Sequence, residues 1–364
     1  MIGALIMAGG AGERMRRAGV AKPLVEVRGA SLLERNVCAL IGTGLSEIWV
    51  ACPRGQGAIL AEIDRLAAAA RRRGVKLRAL IESEPLGTIG AAGQLARQVD
   101  PLVTVNADNL TGIDLGELTA HHLRSRADLT LATHDHVTQL PYGAVDTEGD
   151  RITAYREKPA SVTRIASAVC VLGPRALAAI EGRAALPDLT ARLIDAGLRV
   201  LAFHHEAPWI DINEPADIER AAALIAAHPA RFECWALRPD LEVAGAILRD
   251  GEQLLLEHRP SVAVWDTPGG KLEPGETPAA AMVRELREEL GVEVAAGPEL
   301  ARFDTLEPDG RVIRHHVFAP VIRRAELIAC EGQVVEWFSL GQLPADRSPV
   351  VGRSLAGVSC EAAS

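Results

Sequence analysis

The stretch Gly270-Lys-Leu-Glu273-Pro-Gly-Glu276-Thr-Pro-Ala-Ala-Ala-Met-Val-Arg284-Glu285-Leu-Arg-Glu288-Glu289-Leu-Gly291-Val292 spells out a loop, a helix and a chemistry. Thr277 is a good N-cap, and Pro278 suits the first helical position. Gly291 suits the left-handed residue that ends a helix. Between them, Glu285 and Glu288 are spaced i,i+3 and Glu285 and Glu289 i,i+4, so three carboxylates share one face. Like charges this close repel unless something positive sits among them, and clustered carboxylate oxygens suit a hard divalent cation such as Mg²⁺. Arg284 lies i,i+4 from Glu288 and can hold it in place. Taken alone, an Arg/Glu-rich helix is more often a solvated face; the preceding loop shifts the balance toward a site.

The whole string satisfies the pattern G-x5-E-x7-R-E-U-x-E-E-x-G-U, with U aliphatic, at every defined position. The chain from about Leu241 to Leu343 therefore resembles the Nudix hydrolases. That resemblance implies an α/β/α sandwich with the helix packed on a mixed sheet. It also implies Mg²⁺ or Mn²⁺ held by Glu285, Glu288 and Glu289, with Glu288 among the catalytic residues. Such ions activate water and neutralise a diphosphate. Arg284 would orient the carboxylates, and Glu276 would support the metal shell. Trp265-Asp-Thr-Pro268-Gly269-Gly270 leads into the pattern, and Glu336–Leu340 resembles the family's closing strand. The implied substrate is a nucleoside diphosphate-X whose X these residues do not name. Arg259, Arg302 and His315 are further candidates for ligand contact, with surface or core placement the stronger reading for each.

Upstream, the first ~225 residues alternate apolar strands with helical segments, the pattern of an α/β domain. Strands are expected at Ala4–Met7, Glu47–Cys52, Leu77–Ile81 and Leu102–Val105. Helices are expected from the capping pattern Ser31-Leu-Leu-Glu34, near Ala58–Arg73, near Gly90–Gln98 and at Pro215–Ala227. Ala8-Gly9-Gly10-Ala11-Gly12-Glu13-Arg14-Met15 follows the first strand, where glycines let backbone N–H groups approach a phosphate. A dinucleotide fingerprint needs glycine where Met15 stands, and no Gly-Lys-Ser/Thr closes a P-loop, so both of those readings fail.

Five further segments follow in order: Ala21-Lys22-Pro23-Leu24, Glu84-Pro85-Leu86-Gly87-Thr88, Val105-Asn106-Ala107-Asp108, Arg156-Glu157-Lys158-Pro159 and Trp209-Ile-Asp211-Ile-Asn213-Glu-Pro215. Each has an innocent reading, as a turn, a cap or a core residue. Together with the glycine loop they resemble the sugar-phosphate nucleotidyltransferases over about residues 1–225. The resemblance implies a Rossmann-like α/β/α domain in which a sugar 1-phosphate oxygen attacks the α-phosphate of a nucleoside triphosphate and pyrophosphate leaves. Arg14 and Lys22 would hold the triphosphate beside Gly9, Gly10 and Gly12. Asp108 and Asp211 would bind Mg²⁺ (or Mn²⁺). Lys158 would neutralise the sugar phosphate, Glu157 would bond sugar hydroxyls, Gly87 would lie against the base, and Gly143 would sit under the sugar. Departures include Glu13 for threonine, Glu26 for proline, Ala166-Ser167-Ala168-Val169-Cys170 for N-A-G-I-Y, and Asn213-Glu214 for glycine and threonine. The Pro-Leu-Gly-Thr run favours guanylyl transfer to mannose- or heptose-type 1-phosphates, with uridylyl transfer as the alternative.

The chain has 364 residues, enough for two or three domains, with 48% hydrophobic and 24% charged residues, so each half can bury a core. A transferase domain at 1–227, a linker at 228–240, a Nudix domain at 241–345 and a loose tail at 346–364 are expected. Val243–Leu248 and Gln253–Glu257, joined by Arg249-Asp250-Gly251, read as a hairpin. The net charge of −9 argues against a nucleic-acid surface. The six cysteines form no CxxC and read as reduced thiols. No run approaches the ~20 apolar residues of a membrane helix, and no signal peptide is evident, so a soluble cytoplasmic protein is expected. Oligomeric state is not legible. Three readings stay open: two active enzymes, a transferase with a regulatory nucleotide-binding Nudix domain, or a Nudix enzyme on an inactive transferase-like scaffold. If the hydrolase cut its neighbour's product, the pair would run a futile cycle, so a different diphosphate is its expected substrate.

Overall fold

The structure, a computed structural model, describes residues 1–9, 21–232, 239–258, 264–321, 328–330 and 332–361. The chain divides into two compact units, Met1–Cys234 and Trp235–Ser364.

The apolar runs of the first unit become the strands of one seven-stranded sheet. Its order is Val200–His204, Leu129–Gln139, Ala160–Leu172, Leu102–Asn106, Gly3–Met7, Glu47–Pro53, Lys76–Glu82. Ala160–Leu172 runs antiparallel to both neighbours, and every other pairing is parallel. Gly3–Met7 is buried at all five positions, which is why it reads as a continuous apolar run rather than an alternating one. On one face Leu5, Met7, Trp49 and Ala51 pack with Ile89, Leu95, Leu177 and Leu189. The alternate residues Ala4, Ile6, Ile48 and Val50 point the other way and are also buried. Each fully buried Leu or Ile contributes about 1.5–3 kcal/mol through loss of apolar surface to water.

Strand order reverses beside Gly3–Met7, which has Glu47–Pro53 on one side and Leu102–Asn106 on the other. The crevice beyond the carboxyl ends of parallel strands at such a reversal is where ligands bind. A small antiparallel pair, Asn109–Thr111 with Trp209–Asp211, stands at this edge and sets Asp211 opposite Asn109. The helix expected at Gly90–Gln98 is confined to Gly90–Gly93 before turns take over. Two glycines in four residues weaken a helix.

In the second unit one sheet orders Gly269–Lys271, Leu241–Ala246, Val312–Phe318 and Glu299–Leu306. Another joins Arg249–Asp250, Gln253–His258 and Trp265–Asp266, with Val334–Ser339 also paired to Gln253–His258. The expected hairpin at Arg249-Asp250-Gly251 is therefore short. Leu241–Ala246 lies in the first sheet, parallel to Val312–Phe318, and only Arg249–Asp250 folds back on Gln253–His258. Helix Pro278–Leu290 begins at Thr277, whose side chain accepts from Ala280 N at 3.3 Å, and ends at Gly291 with φ 68°. It packs Ala281, Met282, Leu286 and Leu290 onto Ala244, Ala246 and Leu255. Residues 346–364, expected to be loose, include a helix at Pro349–Glu361. Val351 is fully buried with Ile247, Leu254, Leu256 and Val317, giving the sandwich its second helical layer. The linker segment 228–240 is anchored at both described ends. Phe232 joins the core of the first unit, and Asp240 exchanges hydrogen bonds with Val312 in the second. No helix among the described residues is long and apolar enough to cross a membrane.

Candidate functional site

The crevice of the first unit gathers residues that are far apart in the chain. Lys22 follows an extended Ala21 and opens a short 3-10 turn that Pro23 favours. Its Nζ donates to Asp108 Oδ2 at 3.0 Å and to Asn213 Oδ1 at 2.8 Å. Asn213 Nδ2 in turn donates to Asp211 Oδ2 at 2.8 Å. Asp217 Oδ2 fixes this corner by accepting from the backbone N–H groups of Asn213 and Glu214, at 2.8 and 2.9 Å. Asn213, a departure from the family pattern, thus bridges the lysine to the second aspartate. Burial raises the Asp211 carboxyl above its ordinary range; Asn213 lowers it, the charge of Asp108 raises it further and Lys22 lowers it.

Two carboxylates that repel each other at a crevice mouth are an oxygen donor set for a hard divalent cation, with substrate phosphates and water completing the shell. Among the described residues no three His, Cys, Asp or Glu side chains converge on one point as a ready ion cage. The chemistry of the pair fits an ion that arrives with a phosphate. Gly10, Gly12 and Arg14 lie outside the described residues, as does Arg259.

Gly9 is described, and its missing side chain matters. A Cβ there would run into Glu82 Oε2. Glu82 ends strand Lys76–Glu82, is only 3% exposed, and its Oε1 has no hydrogen-bond partner among the described residues. Burial pushes its carboxyl up, and the Leu86 backbone N–H opposes this. Gly87 follows, with φ 81°, and a Cβ there would strike the Ala184 carbonyl, so only glycine fits.

The Arg156-Glu157-Lys158 segment sits on an exposed ribbon, Ala144–Glu148 paired with Arg151–Arg156. Tyr155 OH donates to Glu157 Oε2 at 2.9 Å and occupies the space a Cβ on Gly143 would need. Neither Glu157 nor Lys158 is hydrogen-bonded to the Lys22–Asp108–Asp211 group in the structure.

In the second unit, Arg284 is the hub. Its guanidinium meets Glu276 (3.0 Å), Glu285 (2.9 Å) and Glu288 (3.0 Å), and also donates to the Lys271 carbonyl at 2.9 Å. These carboxylates hold it well above its usual range, and Glu276 is correspondingly lowered, first by Arg284. The carboxylates differ in setting. Glu289 is 1% exposed and accepts from Gly269 N at 3.0 Å, whereas the Glu288 side chain is 46% exposed. Glu285 fills the cradle left by Gly270, where any Cβ would strike its carboxylate. A glycine strand laid against Glu285 and Glu289, with Glu288 held near them by Arg284, fits a divalent cation carried in by a diphosphate.

Beside this face lies a cavity of about 300 Å³, lined by Val243, Gly245, Asp266, Gly270, His315 and His316 among others. His315 is therefore at a cavity wall and not only in the core. It stacks on Phe303 with centroids 5.1 Å apart, bonds Thr305 at 2.8 Å, and burial lowers it to about 4. His316 spans Glu299 and Glu242, each at 2.8 Å. Glu82, Asn109 and His316 carry no sequence signal that marks them as site residues.

A family model described as Nucleotidyl transferase matches residues 3–228, and one described as NUDIX domain matches residues 239–356. The chain is similar to the CTP pyrophosphohydrolase of Escherichia coli (strain K12), 38% identical over 103 residues, covering 27% of this chain and 76% of that protein. It is similar to a mannose-1-phosphate guanyltransferase of Aspergillus fumigatus, 26% identical over 251 residues, covering 66% of this chain and 68% of the relative. The D-glycero-alpha-D-manno-heptose 1-phosphate guanylyltransferase of Aneurinibacillus thermoaerophilus is 29% identical over 159 residues, 43% of this chain and 67% of its own. Among solved structures, HddC from Yersinia pseudotuberculosis matches with a TM-score of 0.47 at 23% identity, over 61% of this chain and 99% of that one.

Proposed function

The chain belongs to the nucleotidyl transferase family over residues 3–228 and to the Nudix family over residues 239–356, and from this we propose that it is a bifunctional enzyme. The first unit transfers GMP from GTP to a mannose- or heptose-type sugar 1-phosphate, giving an NDP-sugar and pyrophosphate. The second hydrolyses a nucleoside diphosphate-X. The Lys22–Asp108–Asn213–Asp211 network is the observation that supports the transferase reading, because it joins one cation and two carboxylates of the kind that neutralise and align a triphosphate. Asp108 and Asp211 are the residues to hold Mg²⁺ or Mn²⁺ in the first unit, and Glu285, Glu288 and Glu289 in the second. The bound ion supplies charge neutralisation at phosphate and, for hydrolysis, activation of water. Lys22 and Arg14 hold the triphosphate in line. Arg284 keeps Glu285 and Glu288 aimed at a common point.

Base choice rests on Glu82. An ionised carboxylate only accepts hydrogen bonds. Guanine offers two adjacent donors, N1–H and N2–H, whereas uracil presents a single donor between two carbonyl oxygens. A buried carboxylate beside Gly9 and Leu86, one oxygen of which has no partner among the described residues, suits the first edge and repels the second. This supports guanylyl over uridylyl transfer, in line with the names of the relatives. The similarity to a CTP pyrophosphohydrolase supports a nucleotide with a diphosphate linkage, other than the transferase product, as the hydrolase substrate.

The test is a matrix of nucleoside triphosphates against sugar 1-phosphates on full-length protein with Mg²⁺, with and without Glu288→Gln, products separated by mass. An NDP-sugar from a GTP pairing is the expected result. Absence of any NDP-sugar with hydrolase activity retained turns the assignment to the scaffold reading. An NDP-sugar that disappears only when Glu288 is intact refutes the expectation of separate substrates.

A further inference from the structure

Where the family pattern has N-A-G, this chain has Ala166-Ser167-Ala168, and the structure builds something there. Ser167 is fully buried. Its Oγ lies 2.8 Å from His134 Nδ1 and 2.7 Å from His205 Nε2, so one hydroxyl joins two imidazoles. Its carbonyl accepts from Asn109 Nδ2 at 2.6 Å and from the Trp209 indole N–H at 2.8 Å. His134 in turn lies against the Trp209 ring, with centroids 4.7 Å apart. Ala168 takes φ 55° at a break in the strand register, so the backbone bends to put Ser167 at this junction.

The junction borders the aspartate pair. Asn109 is the neighbour of Asp108, and Trp209 and Asp211 are i and i+2 on one strand, hence on the same side of it. His134 and Trp209 are both half-buried, so this wall is partly open while its anchor is sealed. His205 is 8% exposed, and burial lowers it to about 4, which keeps it neutral. A neutral His205 and a single hydroxyl proton leave His134 Nδ1 tied to Ser167 and its Nε2 with no protein partner among the described residues. A ring fixed on one side and free on the other is a hydrogen-bonding platform.

We propose that His134 reads the sugar of the sugar 1-phosphate, bonding a ring hydroxyl through Nε2 while the Trp209 face packs on the sugar's apolar side, and that Ser167 and His205 are its positioning residues. This rests on the transferase reading above. It gives the sugar contacts to His134 and Trp209, which lie on strands other than the altered Ala166-Ser167-Ala168 segment. Aromatic rings give such contacts both area and geometry.

The experiment measures NDP-sugar formation by full-length wild type, His134→Ala, His134→Gln and Ser167→Ala, with KM determined separately for the triphosphate and for the sugar 1-phosphate. Loss of one neutral hydrogen bond predicts KM for the sugar 1-phosphate raised roughly tenfold in His134→Ala, with the triphosphate KM within about twofold of wild type. His134→Gln, whose amide reaches the Nε2 position, restores most of the loss, and Ser167→Ala raises the same KM alone. Wild-type turnover with an unchanged sugar KM in His134→Ala overturns this inference and leaves the transferase reading intact. A rise in both KM values together, with loss of melting temperature, also overturns it, since it marks a purely structural junction. No product from wild type overturns both.

Discussion

Replacing Glu82 by glutamine separates what this carboxylate does for chemistry from what it costs the fold. Glu82 is 3% exposed and its Oε1 has no hydrogen-bond partner among the described residues, so its charge is poorly compensated by them. Against guanine it would accept two hydrogen bonds, each worth about 1.5–3 kcal/mol when one partner is charged. Glutamine keeps one acceptor and turns a donor toward a donor. The net loss is about 2–3 kcal/mol, or roughly 30- to 150-fold in kcat/KM for GTP. UTP, repelled by the carboxylate, should hold steady or gain, so the GTP/UTP ratio falls by at least the same factor.

Stability moves the other way. The folded-state pKa of Glu82 is raised, so the native protein binds a proton more tightly than the unfolded chain does. That term favours the fold at low pH. It is lost as pH climbs from the ordinary carboxylate range through the raised value, and stays lost above it. Glu82→Gln removes the pH-dependent loss, and the variant should resist urea better than wild type at neutral pH and no better at acid pH. The assay pairs steady-state kinetics on both triphosphates with urea melts at two pH values. A GTP/UTP ratio within threefold of wild type refutes the base-reading argument, whatever the melts show.

Arg284→Ala strips the cation shared by Glu276, Glu285 and Glu288. It should cut hydrolase activity and Mg²⁺ affinity 10- to 100-fold, the usual effect of losing a group that orients metal ligands, and leave NDP-sugar formation unchanged; equal losses in both activities would contradict the assignment. Val351→Ala should lower the stability of the second unit by about 1–3 kcal/mol, because it opens a fully buried site under helix Pro349–Glu361; a urea midpoint identical to wild type would show the helix to be dispensable. Ala168→Gly should raise the melting temperature slightly, since a left-handed alanine costs about 1 kcal/mol that glycine does not; a fall would mean the methyl is needed for packing.

The parts of the fold legible in the sequence are those whose signals are local. Thr277, Pro278 and Gly291 mark both ends of one helix, and the spacing of Glu285, Glu288 and Glu289 fixes its face. The buried strand Gly3–Met7 announces itself as an unbroken apolar run. The hairpin at Asp250-Gly251 is shorter than its sequence suggests because a turn signal says that chains reverse, not which sheet receives them; Leu241–Ala246 finds its partner at Val312–Phe318, far along the chain. Helix Pro349–Glu361 hides behind Gly352, Ser354 and Gly357, poor helix formers. Packing of Val351 outweighs that propensity. Glu82 and the His134–Ser167–His205 chain were invisible for a different reason. Glu82 closes a strand, Lys76–Glu82, after the apolar run Ala79-Leu-Ile and reads as its polar end, and the histidines lie 33 and 38 residues from the serine that joins them.

The two candidate sites also differ in when they can exist. Lys22 meets Asn213 across 191 residues of chain, so the transferase crevice has no second aspartate until nearly the whole first unit has left the ribosome. Glu289 meets Gly269 across 20 residues, so the carboxylate helix and its glycine strand can assemble within moments of being made. Long-range closure is slow and local closure fast. During synthesis, then, the crevice is the last feature of its unit to form, whereas the hydrolase face is among the first of its own. A translation pause once residue 234 has cleared the ribosome would give the slower unit time to finish before apolar strands of the second emerge to compete for its edges.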